Sequence, residues 1–253
     1  MEDSSTIRPV ARRASSAMLG PPSPPSHIAA VIPAYQAAPS VGAVVEGVLK
    51  LLPEVLVVDD GSTDGTADAA RAAGARVISL PFNQGKGTAL AAGFRDLFAR
   101  GAGAVATLDA DGQHLPEEMP KLLALAGEAD LVLGVRDHLF AQMSGVRRAA
   151  NRLSSSAISL AAGHHLTDIQ TGFRLYSRRL IDDVGFPESR FEAESAVVVR
   201  AARRGFVIAS VPVRLGFADG RTTSHYRPLA DSLRIAGAVV RARVQMVRWL
   251  RFS

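Results

Sequence analysis

The sequence predicts an α/β fold, a mostly parallel sheet with helices on both faces. Two observations carry this. From residue 28 onward, short apolar runs alternate with stretches of helical spacing, the order that builds βαβ units. The polar residues that interrupt the alternation cluster behind four successive apolar runs. In such a sheet these positions share one edge, outside the carboxyl ends of the strands, where ligands bind.

Each element follows in order. HIAAVIPA (27–34) is a short apolar run ending in Pro and predicts a buried strand. APSVGAVVEGVLKLL (38–52) has helical spacing, with Ser40 as its N-cap. EVLVVDD (54–60) predicts the second strand. TDGTADAARAAG (63–74) predicts a helix capped by Thr63 or Asp64 and closed by Gly74. ARVISL (75–80) is the third strand, GKGTALAAGFRDLFARG (85–101) a helix ending at Gly101, and GAVATLDAD (103–111) the fourth strand. EEMPKLLALAG (117–127) predicts a helix with an early Pro, and ADLVLGVR (129–136) a strand. Beyond 136, residues 144–162 and 188–205 have helical patterning, 163–176 reads as a loop, FVIASVPV (206–213) as a strand, and 216–228 as a polar loop.

Bulk composition narrows the function. The 253 residues suit one large domain, and 47% hydrophobic content supplies its core. With no cysteine, disulfides and thiolate-bound metals are excluded, which fits a cytoplasmic setting. Residues 1–27 are rich in Ser, Pro and Arg, without an apolar h-region, and are expected to form a disordered tail. No run of about 18 apolar residues predicts a membrane span.

The net charge of +5 lies entirely in residues 227–253, which hold six Arg and one Asp. On a helical wheel Ile235, Ala238, Val239, Ala242, Met246, Trp249 and Leu250 share a face, while Arg234, Arg241 and Arg248 recur opposite. Residues 229–253 therefore predict a basic amphipathic helix with an interfacial Trp. It suits peripheral attachment to an anionic membrane surface, where each Arg contributes about 1 kcal/mol. Packing on the domain, or on a second copy in a homo-oligomer, is the other reading. Nucleic acid is not expected as a partner, because the segment lacks the interleaved aromatics of a single-strand platform.

Four polar clusters mark the candidate site: Pro33-Ala34-Tyr35, Asp59-Asp60-Gly61-Ser62, Asn83-Gln84-Gly85-Lys86-Gly87 and Asp109-Ala110-Asp111. Each alone could be a turn or a helix cap. Capping does not explain consecutive carboxylates ending an apolar strand. The spacing of a Walker loop is absent, Leu90 breaks the dinucleotide fingerprint, and the Asp/Gly stretches fail the EF-hand pattern. Residues i and i+2 of an extended segment point the same way. Asp109 and Asp111 so placed could hold a hard divalent cation and share it with diphosphate oxygens.

The ordered set IPAY (32–35), VVDDGSTDGT (57–66), NQGKGTAL (83–90), LDADGQH (108–114), DIQTGFR (168–174) and FEAE (191–194) resembles family 2 glycosyltransferases of the GT-A fold. Dolichol-phosphate mannose synthases and bacterial polyprenyl-phosphate sugar transferases are the nearest in look. The resemblance implies a GT-A domain over 28–228 and metal-dependent, inverting transfer from a UDP- or GDP-linked sugar to a polyprenyl phosphate or related lipid. That places the protein on the cytoplasmic membrane face. A soluble acceptor is the first alternative, and a non-enzymatic nucleic-acid binder, supported by the basic tail's charge alone, is a more distant one.

By the same resemblance, Pro33, Ala34 and Tyr35 wall the base. Asp60 accepts a hydrogen bond from the base, supported by Asp59, and Lys86 approaches the nucleotide. Asp109 contacts ribose and metal, and Asp111 and Gln113 join it around Mg²⁺ or Mn²⁺. Asp168 and Arg174 shape the acceptor and donor side, with Arg174 meeting a phosphate. Arg221, Ser224, His225 and Arg227 close over a diphosphate or acceptor phosphate. Glu194, or Glu192, acts as a base, or the two cap the following helix. His114 gains no role beyond the turn. The acid that commonly follows the PAY segment in this family is absent at Ala37.

Overall fold

The computed structural model describes backbone and side chains for residues 20–135 and 171–216, and the backbone of 8–10. Asp168, Arg221, Ser224, His225, Arg227, the helix expected over 144–162 and the C-terminal helix lie outside the described residues.

The strands are β1 (Arg8–Val10), β2 (Ile28–Ala34), β3 (Val55–Asp59), β4 (Arg76–Ser79), β5 (Ala104–Thr107), β6 (Leu131–Val135), β7 (Arg174–Ser177) and β8 (Ile208–Pro212). The helices are α1 (Ala38–Leu49), α2 (Thr66–Ala72), α3 (Lys86–Ala99), α4 (Met119–Leu123, after a 3-10 turn at Pro116–Glu118), α5 (Arg178–Val184) and α6 (Glu192–Arg204). One eight-stranded sheet orders them β1-β8-β6-β7-β5-β2-β3-β4. β4, β3, β2 and β5 pair in parallel, as do β6 and β8. β7 runs antiparallel between β5 and β6, and β1 antiparallel at the edge. The mostly parallel sheet expected from the sequence is present.

Both faces are covered. α1 buries Val41, Val44, Val45 and Val48, the spacing of a single helical stripe, against Ile32, Val57 and Ala106 together with α4. α3, α5 and α6 cover the other face, with Phe94, Leu97, Leu180 and Val197 around Val31, Val58, Val105 and Tyr176. Each such side chain contributes about 1.5–3 kcal/mol on leaving water.

Several sequence expectations need correction. Residues 174–176 fall in a stretch read as loop, yet Arg174–Ser177 is the central antiparallel strand β7. Its short length and single Arg hide the period-two signal. The tail expected over 1–27 is partly structured. Arg8–Val10 pairs with Ile208–Ser210, because edge strand β8 presents unpaired backbone groups that a passing segment can satisfy. Further on, Arg179 donates to the carbonyls of Gly20 (2.8 Å) and Pro21 (3.3 Å), and Pro24 and Pro25 rest on Gly127 and Gly103. The folded unit therefore begins before residue 28.

The expected caps also differ. Neither Thr63 nor Asp64 is the N-cap of α2, which is Gly65. Asp64 instead accepts from the amides of Thr66 and Ala38. Ser40 lies inside α1 and donates to the carbonyl of Ala110 at 2.7 Å, tying α1 to the DAD segment.

Candidate active site

The four polar clusters do fall at one edge of the sheet, after β2, β3, β4 and β5. Their local geometry is fixed by hydrogen bonds between loops. Asp60 donates its amide to Ala34 O at 2.8 Å, joining the PAY and DDGS turns. Gln36 adopts a left-handed φ of 51°, and its amide donates to Ser62 Oγ at 2.9 Å. Asp59 Oδ1 accepts from the amide of Ser62 at 3.1 Å. Ala34 is buried, while Pro33 and Tyr35 remain partly exposed on the same turn.

Asp60 is 3% exposed. Its two carboxylate oxygens accept from the amides of Gln84 and Gly85, each at 2.7 Å. Burial raises its pKa above the usual carboxylate value against the lowering effect of these amides. The carboxylate thus anchors the NQGKG loop, a role the sequence did not suggest for it. Gly85 turns there with φ 102°, and a Cβ at this position would meet Ser189 O at 2.4 Å. A side chain is excluded both by conformation and by space.

That turn starts α3 and delivers Lys86 to the middle of the site. Lys86 Nζ lies 2.6 Å from Asp109 Oδ1 and 3.0 Å from Glu194 Oε2, with 14% of its side chain exposed. It also lies 5.9 Å from the centre of the Phe191 ring, within cation–π range. Burial alone would lower the pKa of this ammonium, but the Asp109 and Glu194 carboxylates outweigh it and hold the pKa above the usual lysine value. Three elements therefore meet at one cation: the start of α3, the turn after β5 and the first turn of α6.

β5 ends at Thr107. Asp109 and Asp111 lie beyond it in a turn with Gly112 at φ 75°, so strand alternation is not what brings them together. The turn is. Asp111 Oδ1 accepts from the Gln113 amide at 2.9 Å. Burial, then the charge of Asp109, raise the Asp111 pKa above the usual carboxylate value. Gln113 also accepts at its carbonyl from Gly216 at 3.0 Å.

His114, for which the sequence suggested no role beyond the turn, lies beside Asp109. It is buried, its Nδ1 lies 3.7 Å from Asp109 Oδ2, and its ring leans on Phe173 with centroids 5.5 Å apart. The crowding of polar groups in LDADGQH was the available signal.

The TGFR segment closes the site from below. Thr107 Oγ1 donates to Gly172 O at 2.7 Å. A Cβ on Gly172 would stand 2.5 Å and 2.6 Å from the two Asp109 carboxylate oxygens, so glycine is needed to let Asp109 sit where it does. Arg174 is enclosed by the fold. It is 0% exposed and donates to the backbone carbonyls of Thr171 and Glu194, each at 2.7 Å. Its guanidinium staples β7 to α6 from inside the core. This burial and bonding give Arg174 a structural role, where the sequence resemblance implied contact with a phosphate.

Glu192 and Glu194 are both buried in the first turn of α6. That helix has Phe191 at its N-cap position, whose side chain makes no capping bond, and the two acids stand in its first turn, where the helix dipole favours negative charge. Glu194 Oε1 and Glu192 Oε2 are buried without a hydrogen-bond partner, an arrangement that costs free energy unless a ligand supplies a donor.

The site thus combines hard carboxylates, a buried lysine and unsatisfied acceptors at the carboxyl edge of a mostly parallel sheet. The sequence and the fold have known counterparts. The glycosyl transferase family 2 profile matches residues 29–185. An undecaprenyl-phosphate mannosyltransferase of Micrococcus luteus is 32% identical over 236 residues, 88% of this chain and 93% of its own. A dolichyl-phosphate hexose transferase of Haloferax volcanii is 32% identical, covering 85% of this chain and 92% of its own. Among solved structures, the glucosyl-3-phosphoglycerate synthase of M. tuberculosis superposes with a TM-score of 0.66 at 25% identity, covering 85% and 80% of the two chains. The profile spans more than half of the sequence, and the chain belongs to glycosyl transferase family 2, a glycosyltransferase built on the GT-A fold.

Proposed function

We propose that this enzyme transfers a sugar from a nucleotide-diphosphate sugar to a polyprenyl phosphate, with inversion at the anomeric carbon. One observation carries the acceptor class: two relatives whose names specify polyprenyl-phosphate acceptors match nearly end to end. The donor class rests on the carboxylates and Lys86 gathered behind β5.

Asp109 and Asp111, with Gln113 beside them, would hold Mg²⁺ or Mn²⁺. Among the described residues no group of three or more His, Cys, Asp or Glu is disposed to bind a metal. Two hard carboxylates with donor diphosphate oxygens and water completing the shell is the arrangement Mg²⁺ favours, so the residues fit. When bound, the metal neutralises charge on the departing diphosphate. Pro33, Ala34 and Tyr35 wall the base. Asp59 and Asp60 hold the loops around it.

In the transfer, an acceptor phosphate oxygen forms a bond to the anomeric carbon as the bond from that carbon to the diphosphate oxygen breaks. The nucleoside diphosphate leaves with the electron pair. A phosphate monoester is already anionic near neutral pH, so no strong base is required. Glu194 then serves to accept a hydrogen bond from the sugar or acceptor rather than to remove a proton. Asp168, Arg221, Ser224, His225 and Arg227 are assigned to the acceptor side, and residues 229–253 to the anionic membrane surface. Flotation with anionic liposomes tests that last assignment: the chain floats, and Arg241→Ala with Arg248→Ala weakens flotation. An unbound wild-type chain removes it.

A second reading has one observation in its favour. The superposable M. tuberculosis enzyme is named for a phosphoglycerate product, so a soluble phosphorylated acceptor fits the same fold. Nucleoside diphosphate release with polyprenyl phosphate against 3-phosphoglycerate separates the two. Turnover only with the lipid supports the proposal.

A further inference from the structure

We propose that Lys86 is an internal stand-in for the divalent cation: its ammonium and the metal compete for the Asp109 carboxylate. The inference rests on the metal reading above and deepens it.

The ammonium already sits on the metal-side carboxylate, 2.6 Å from Asp109 Oδ1, and its second partner, Glu194 Oε2, lies 3.0 Å away. Asp111 lies close enough to feel both Asp109 and Lys86. Three carboxylates and one ammonium leave the cluster negative even with Lys86 in place. Removing the ammonium would leave all three carboxylates uncompensated in a partly buried site, which strongly favours taking up another cation.

Only the side chain has to move for the exchange. The backbone at Gly85 is fixed by Asp60 and by the close approach of Ser189, and Gly87 by that of Glu188. The four-carbon stem of lysine is flexible. An anionic nucleotide entering beside the NQGKG loop gives the ammonium a new partner, and Asp109 then becomes accessible to metal. Metal affinity would accordingly be low without nucleotide, held down by the chain itself.

The test is Mn²⁺ binding to the full chain without nucleotide, read by the electron paramagnetic resonance signal of unbound Mn²⁺. Lys86→Gln should bind at least about tenfold more tightly than wild type, given the removal of a unit charge a few ångströms away. Lys86→Arg, which keeps the charge, should hold the wild-type affinity. Equal or weaker binding by Lys86→Gln overturns the inference. If Lys86→Gln is too unstable to titrate, its melting temperature must rise with Mn²⁺ by more than that of wild type; an equal or smaller rise overturns the inference as well. Mn²⁺ binding by wild type with nucleoside diphosphate, combined with no gain in Lys86→Gln, sinks this inference alone. No Mn²⁺ binding by either protein, even with nucleoside diphosphate, removes the metal reading and this inference together.

Discussion

Both carboxylate oxygens of Asp60 are occupied by the backbone of the loop that carries Lys86, through the amides of Gln84 and Gly85 at 2.7 Å. The acid just past β3 therefore positions the lysine that follows β4. Asp60→Ala would strand two amides and is expected to cost about 3 kcal/mol or more, the worth of two hydrogen bonds to a charged group. Asp60→Asn keeps one acceptor and should cost less. Urea denaturation of both variants checks the order. Equal stability of Asp60→Ala and wild type would show that the anchor is dispensable.

Asp111 gives a pH signature. Burial and the neighbouring Asp109 hold its native pKa above the ordinary value of 3.8, so the folded state keeps the proton to higher pH than the unfolded chain. Its contribution to stability is full below the unfolded pKa and is lost as pH rises through the native one. Asp111→Asn removes that loss and keeps an acceptor for the Gln113 amide. The variant should be more stable than wild type at neutral pH, with the gap closing at about pH 3, while metal-dependent transfer is abolished. Denaturant midpoints at the two pH values decide it. A variant less stable at neutral pH contradicts the burial argument.

Gly172 separates packing from catalysis. Its backbone lies outside the left-handed region, so alanine brings only a Cβ, placed 2.5 Å from Asp109 Oδ1. The Asp109 side chain must turn away from Lys86. Gly172→Ala should lower kcat at least about tenfold with only a modest fall in melting temperature. Unchanged kcat would mean that the position of Asp109 is not critical.

Arg174 should behave as a core residue. Lysine cannot span the carbonyls of Thr171 and Glu194 as the planar fork does. Arg174→Lys is expected to destabilise the fold by about 2–4 kcal/mol. Thermal unfolding reads the stability. A variant of wild-type stability with a raised KM for acceptor would instead restore the phosphate-binding role.

Much of this was legible in the sequence. Alternating apolar runs located β2 to β6, α1 and α3, because burial on both faces of a parallel sheet leaves a strong local pattern. The common edge of PAY, DDGS, NQGKG and DAD followed from topology. β7 did not, since a four-residue strand bearing an arginine has no pattern of its own and is defined by its neighbours β5 and β6. For the same reason Arg174 looked like a ligand-binding residue: its partners are backbone carbonyls, which no sequence motif displays. The meeting of Lys86 with Glu194 joins residues more than a hundred positions apart. His114 was passed over because its ring partner Phe173 lies far away in sequence, in the segment just before β7.

The central claim is that this site transfers sugar to a polyprenyl phosphate. Its most direct measurement is nucleoside diphosphate release from UDP- and GDP-linked sugars with Mn²⁺ present, comparing polyprenyl phosphate, 3-phosphoglycerate and no acceptor, in wild type and Asp111→Ala. Release should depend on the lipid phosphate and disappear in Asp111→Ala. Release with 3-phosphoglycerate and none with the lipid, or full activity in Asp111→Ala, would contradict it.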